Sequence, residues 1–211
     1  MTANNQATVH IVDDDAAMRN ALSLLLVTES LPVRTYASAE EFLRSVQPTS
    51  RGCLLLDVRM PGMSGLELQQ VLKEKQIAMP IIIMTGYADV PTAVQAMKAG
   101  AFDFIEKPFD NDRLLQRVHA CLQVSEQVQT EQNMQQEGEE KIRRLTQRER
   151  QVMDLLVQGH QNRVIAAKLG ISPRTVEIHR ARVMEKLEAH SLSDIVRLAL
   201  MIEPPKANVT E

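Results

Sequence analysis

Five short apolar runs, each followed by a segment of helical spacing, fill the first 125 residues and restrict them to an alternating α/β architecture. Val9–Val12 leads into Ala16–Glu29, and Val33–Tyr36 into Ala39–Val46. Cys53–Leu56 leads into Gly65–Gln76, and Pro80–Met84 into Pro91–Ala99, which Gly100 closes. Phe102–Glu106 leads into Asn111–Val124. Cys53–Leu56 and Pro80–Met84 read as continuous apolar runs, whereas Val33–Tyr36 is a weak strand. Both faces of their sheet must therefore be covered, which predicts a doubly wound, five-stranded parallel sheet.

Beyond Val124 the pattern changes twice. Residues 126–142 hold five Glu against one Lys, and their apolar content falls to Val128, Met134 and Ile142. That composition predicts a solvated, partly helical linker. A coiled-coil extension of the preceding helix is the alternative, but the apolar spacing is poor and Gly138 interrupts it. From Arg143 onward only helical signals appear. Thr146 opens a helix with Glu149 as its capping-box partner, and Gly159 ends it. Asn162–Leu169 is closed by Gly170. Ser172 and Pro173 are an N-cap and a first helical residue for a third helix reaching about Leu187. Ser191 or Ser193 caps a fourth, reaching about Met201, and Pro204-Pro205 stops it. The expected layout is an α/β domain over 1–125, a linker over 126–142, an all-α four-helix domain over 143–202 and a disordered tail over 203–211.

A hydrophobic content of 44% with 24% charged residues is that of an ordinary globular protein. No apolar run approaches the length of a membrane-spanning helix, and the polar N-terminus has no basic segment followed by an apolar one. A cytoplasmic protein is expected, without a membrane partner and with Cys53 and Cys121 as reduced core thiols. The net charge of −3 is unevenly spread. Residues 143–211 carry 12 basic and eight acidic side chains, whereas residues 1–142 carry 12 basic and 19 acidic ones. A basic C-terminal third points to nucleic acid.

In a doubly wound sheet, ligands bind beyond the carboxyl ends of the strands. Asp13 and Asp14 end the first predicted strand, Asp57 the third and Thr85 the fourth, while Lys107 lies just past the fifth. Any one of these aspartates could be a turn residue or helix cap, and Asp15 is read as the N-cap of the first helix. As a set they describe a pocket. Three converging carboxylates call for a cation, and hard oxygen ligands completed by waters suit Mg²⁺. A lysine opposite them makes sense if a dianionic group visits.

Over residues 8–124 the sequence resembles the flavodoxin-like receiver domains of two-component response regulators. The resemblance rests on Val12-Asp13-Asp14, the run from Asp57 to Gly65, Thr85-Gly86 and Lys107-Pro108-Phe109. It implies that Asp57 accepts phosphate from a sensor histidine kinase. It further implies that Asp13, Asp14, Asp57 and the backbone carbonyl of Arg59 hold Mg²⁺, and that Thr85 and Lys107 contact the phosphoryl oxygens. Thr85 and Phe104 would then move inward as a switch, reshaping a surface near Val90–Val124 where family members dimerise. Phe104 as a plain core residue is the alternative.

Residues 143–202 resemble the four-helix DNA-binding domain of the FixJ/NarL/LuxR type. The matching stretches are Leu145–Arg150, Leu169–Ser172 and Arg174–Arg180, and the FixJ branch is favoured by residues 172–177 and Ser191-Leu192. The resemblance implies a helix-turn-helix over Asn162–Ala181. Val176, Val183 and Leu187 should pack inward. Arg174, Thr175, Glu177, Ile178, Ala181 and Arg182 should face a major groove. Arg182, Lys186, Arg148 and Arg163 are candidate phosphate contacts. Any of them could instead be an ordinary solvated charge, and the apolar stripe of the last helix fits dimerisation or core packing equally well. Double-stranded DNA, a second copy of the chain on phosphorylation and RNA polymerase follow as candidate partners.

Two other readings fit less well. A haloacid-dehalogenase phosphatase needs an acid two residues after its nucleophile, where this chain has Arg59. A regulator that has lost phosphorylation would usually lack part of the set Asp13, Asp14, Asp57, Thr85 and Lys107, which is whole here. The expected function is therefore a phosphorylation-activated transcriptional regulator. Its receiver catalyses its own modification and turns over no external substrate.

Overall fold

The computed structural model describes residues 7–86 and 90–202. The expectation of a disordered tail over 203–211 falls outside the described residues. The chain divides into two compact units, Met1–Gln129 and Thr130–Glu211.

The first unit alternates strand and helix five times: β1 (Thr8–Val12), α1 (Ala16–Thr28), β2 (Val33–Tyr36), α2 (Ala39–Ser45), β3 (Gly52–Asp57), α3 (Gly65–Glu74), β4 (Ile81–Thr85), α4 (Val90–Lys98), β5 (Asp103–Glu106) and α5 (Asn111–Arg143). The strands form one parallel sheet in the order β2-β1-β3-β4-β5. This is the predicted doubly wound fold. Alternation along the strands splits the core in two. Val12, Leu54, Leu56 and Ile83 pack with Phe42, Leu68 and Leu72 on one face. Val9, Ile11, Leu55 and Ile82 pack with Leu22, Leu26, Leu114 and Val118 on the other. Cys53 and Cys121 are buried free thiols in the second cluster. β3 starts one residue earlier than the sequence suggests. Its first residue, Gly52, has φ of 129°, and a Cβ there would lie 1.7 Å from the Thr8 carbonyl oxygen, so only glycine fits.

The second unit contains the C-terminal part of α5 with α6 (Gln147–Val157), α7 (Asn162–Leu169), α8 (Pro173–Lys186) and α9 (Leu192–Ile202). Capping sets the helix starts as read. Thr146 and Glu149 form a capping box on α6, and the Ser172 hydroxyl accepts from the Thr175 N–H at the start of α8. Of the two candidate caps for α9, Ser191 is used, accepting from the Asp194 N–H at 3.2 Å. Gly170, at φ 66°, closes α7.

The segment 126–142 differs from expectation. It is helical throughout, because α5 runs unbroken from Asn111 to Arg143. Its Gln, Glu and Lys residues are good helix formers. Gly138 interrupts nothing: it is buried, and a Cβ at this position would come within 2.7 Å of Leu198 and 3.0 Å of Ile202. The missing side chain lets α5 and α9 approach, and Ile142 joins the core of Met153, Val183, Leu187 and Ile195.

Candidate phosphoacceptor pocket and DNA-binding face

Strands β1, β3, β4 and β5 are neighbours in parallel register, so the residues at their carboxyl ends meet along one edge. Val12 pairs with Leu56, Asp57 with Met84 and Thr85 with Glu106. Asp13 is 1% exposed, Asp57 7% and Thr85 3%, while Asp14 is exposed. One carboxylate oxygen from each of Asp13, Asp14 and Asp57 lies within 4.8 Å of the others. The Lys107 ammonium donates to Asp13 Oδ2 at 2.7 Å and to Asp57 Oδ1 at 2.8 Å. The Lys107 N–H donates to the Thr85 carbonyl at 2.7 Å, which locks the end of β4 to the lysine.

Backbone and neighbouring groups aim these side chains. Asp13 Oδ1 accepts from the Asp15 N–H at 2.8 Å, and the Arg19 guanidinium donates to the Asp13 carbonyl at 2.6 Å. Asp15 itself caps α1, as read from the sequence. Asp57 Oδ2 accepts from the Arg59 N–H at 3.2 Å. The loop that follows is tied to α2 through Glu40, which accepts from the Met63 N–H at 3.3 Å. It returns so closely that a Cβ on Gly65 would sit 2.2 Å from the Asp57 carbonyl oxygen. Sequence reading did not anticipate Arg19, Glu40 or the tightness at Gly65, since none carries a reacting group.

The electrostatics follow from burial and crowding. Burial raises the Asp57 carboxyl above the ordinary aspartate value and neighbouring Asp13 adds to this, while the hydrogen bond and charge of Lys107 oppose it. Burial pulls the Lys107 ammonium down. Its bonds to Asp13 and Asp57 together outweigh that, and its pKa is raised. A buried acidic pair bridged by one lysine leaves excess negative charge, which suits a cation among oxygen ligands. Phe104 is half-buried and packs against the core on the α2–α4 side of the sheet.

A family model described as the response regulator receiver domain matches residues 9–119, and one described as bacterial regulatory proteins, luxR family, matches residues 143–199. The transcriptional regulatory protein FixJ of Azorhizobium caulinodans is 49% identical over 92% of both chains. The chain belongs to the response regulators of the FixJ–LuxR type. FixJ of Bradyrhizobium diazoefficiens is 45% identical over 91% of this regulator and 94% of its own length. Among solved structures, the response regulator StyR superposes with a TM-score of 0.82 at 41% identity, covering 92% of this chain and 98% of that one. Full-length FixJ from B. japonicum aligns at 44% identity with a TM-score of 0.57, covering 93% and 97%. The regulator thus joins a receiver to a LuxR-type DNA-binding domain and acts on transcription.

In that DNA-binding domain Val176 and Val183 are fully buried and Leu187 nearly so. Arg174, Glu177, Ile178, Ala181 and Arg182 are exposed, with Thr175 half-buried beside them. Glu177 is paired with Arg174 at 3.0 Å on the surface of α8. Arg148 is exposed and donates to Gln151 at 3.0 Å, and Arg163 is exposed at the start of α7. Lys186, a candidate phosphate contact, is half-buried on α8. Its ammonium donates to Glu149 Oε2 at 2.6 Å and to the Arg144 carbonyl at 3.2 Å. Glu149 is only 2% exposed, so Lys186 serves as the counter-ion of a buried carboxylate. The Lys186 hydrogen bond, followed by that of the Thr146 N–H, holds the Glu149 carboxyl down at about 2. Among the described residues no helix is long and apolar enough to cross a membrane.

Proposed function

We propose that the regulator is switched by phosphorylation of Asp57. The observation that carries this reading is the Lys107 ammonium bridging Asp13 and Asp57, with Thr85 at the end of the strand between. A carboxylate oxygen of Asp57 attacks the phosphorus of a phosphohistidine presented by the sensor kinase. The new O–P bond forms as the N–P bond breaks, and the electron pair leaves with the imidazole. Lys107 and the Thr85 hydroxyl bind the phosphoryl oxygens. Asp13, Asp14, Asp57 and the Arg59 carbonyl would hold Mg²⁺, whose charge screens the carboxylates against the incoming dianion. The fit rests on the clustering of three carboxylate oxygens at a site with a single neutralising lysine. No external substrate is turned over.

Thr85 and Phe104 then carry the change to the surface of α4, β5 and α5, where two copies associate. Pairing brings two copies of α8 to one duplex, where Arg174, Thr175, Glu177 and Ile178 face base edges and Arg182, Arg148 and Arg163 face phosphates. RNA polymerase is the partner that would read the assembled complex, and the cytoplasm, where the DNA lies, is the compartment. Incubation with a small acyl-phosphate donor and Mg²⁺ should add one phosphoryl group. Asp57→Asn should add none, and undiminished labelling of that variant would sink the assignment.

A further inference from the structure

The second unit holds a cleft of about 470 Å³ between the end of α6, the turn into α7, the middle of α8 and the start of α9. Leu156, His160, Asn162, Arg163, Arg180 and Leu192 line it, and no carboxylate does. Several cations of the unit are paired: Arg174 with Glu177, Lys186 with Glu149, Lys141 with Glu188 and Arg197 with Asp194. Among the described residues neither Arg163 nor Arg180 has an ion-pair partner. Arg180 is moreover half-buried, because it follows the buried Val176 by one helical turn and precedes the buried Val183 by three residues. A half-buried guanidinium sharing a cleft with a second one, and with an imidazole, lacks the anion that would balance it.

We propose that this cleft takes one phosphate of the DNA backbone, gripped by Arg163 and Arg180 with His160 as a further donor. The inference rests on the DNA-binding reading above and adds Arg180 and His160 to it. Guanidinium forks match phosphate oxygens in geometry as well as charge. Arg163 lies on α7, the first helix of the helix-turn-helix, and such a helix crosses the backbone while the second enters the groove. The N-cap of α7, Gln161, makes no side-chain bond to the helix amides, and Gln161, Asn162 and Arg163 at this helix start all line the cleft. A clamp on the flank of α8 fixes how deeply that helix sits without reading any base.

The test measures binding of the full chain to two unrelated duplexes across a salt series. Arg163→Gln and Arg180→Gln should each weaken binding to both duplexes alike. Each should lower the slope of log K against log [salt] by about 0.9, or about threefold in affinity over a fourfold salt change. The double variant should lose little more than either single one, because both side chains hold one phosphate. Unchanged slopes in variants of a normally binding protein would overturn the clamp and leave DNA binding standing. Absence of any salt-dependent binding by the wild type would instead defeat the DNA-binding reading. If millimolar inorganic phosphate raises the Tm of the wild type but not of Arg180→Gln, while the DNA slopes stay equal, the cleft binds a free anion and the backbone role is excluded. Should Arg180→Gln not fold, the exposed Arg163→Gln decides, with Arg180→Lys restoring the charge.

Discussion

Lys186, on α8, closes onto the carboxylate of Glu149 at 2.6 Å, joining two residues 37 positions apart. The same carboxylate accepts from the Thr146 N–H at 2.8 Å, so one buried acid starts α6 and anchors α8. Glu149→Ala leaves Lys186 without its partner and removes half of a capping box. A loss of about 1–3 kcal/mol in unfolding free energy is expected. The sign of its pH dependence is fixed by a folded value of about 2 against 4.5. The stabilisation is full above about pH 4.5 and is lost as the pH falls toward 2. Denaturant titrations at neutral pH and near pH 2 should show a large gap between wild type and Glu149→Gln that narrows in acid. Lys186→Ala should lower stability without changing the salt slope of DNA binding. A fall in slope by about one phosphate contact would return Lys186 to the DNA interface.

Gly65 makes a second prediction, in the phosphoacceptor pocket. A Cβ there would overlap the Asp57 carbonyl oxygen at 2.2 Å, with backbone on both sides of the contact. The chain must shift, and Asp57 shifts with it. Gly65→Ala is expected to slow phosphoryl uptake from a small donor at least tenfold, the scale of a small misplacement of reacting groups. Mg²⁺ dependence should persist, whereas Asp14→Ala should raise the Mg²⁺ concentration needed. Wild-type labelling rates in Gly65→Ala would show that the loop relaxes without moving the carboxylate.

These two contacts mark where the sequence stopped being readable. Strand-end carboxylates were legible because a parallel sheet delivers every strand end to one edge, so Asp13, Asp57, Thr85 and Lys107 could be grouped from position alone. Caps at Asp15, Thr146 and Ser172 were legible because their partners lie two or three residues away. The Glu149–Lys186 pair was not, since it depends on how α6 and α8 cross. Gly138 was misread as a break for the same reason: its value lies in Leu198 and Ile202, which no local pattern reveals. The linker's polarity signals solvent exposure on most of its surface, which a helix with one buried edge also satisfies.

His10 gives a third prediction, for the receiver. Its ring is buried in β1, stacks on Tyr36 and meets Phe42 edge-on, with Nδ1 3.1 Å from the Tyr36 hydroxyl. Burial, with Arg34 nearby, lowers its pKa from 6.5 to about 4. Between those values the unfolded chain binds a proton that the folded chain refuses. Stability therefore falls as the pH drops from about 6.5 to about 4, by about 3 kcal/mol in total. Both tyrosines, Tyr36 and Tyr87, precede residue 130 in the sequence and the second unit has none, so tyrosine fluorescence does not report unfolding of the second unit. His10→Gln should flatten the slope between pH 6.5 and 4. An equal slope in wild type and variant would assign the acid sensitivity elsewhere.

The last prediction concerns how the pocket reaches DNA. Thr85 is buried at the end of β4 and Phe104 on the adjacent strand is half-buried; in the proposed switch the aromatic ring follows the hydroxyl inward. On the face that would change, α4 exposes Val94 and Met97 by 45% and 47%. On the following elements, Arg117 of α5 is paired with Asp103 of β5 at 2.9 Å. Exposed apolar side chains next to charged ones have the make-up of a small interface with a polar rim. Phosphorylation should therefore shift the protein from monomer to dimer, measurable by sedimentation. Thr85→Ala should lose that shift, and Met97→Glu should lose it while still accepting phosphate at Asp57, because it breaks the surface and spares the pocket. Two α8 helices held in one dimer bind a second half-site at high effective concentration, so affinity for a two-half-site duplex should rise on phosphorylation far more than for a single half-site. A regulator equally dimeric in both states would exclude this route and place the coupling in a contact between receiver and DNA-binding domain that phosphorylation releases.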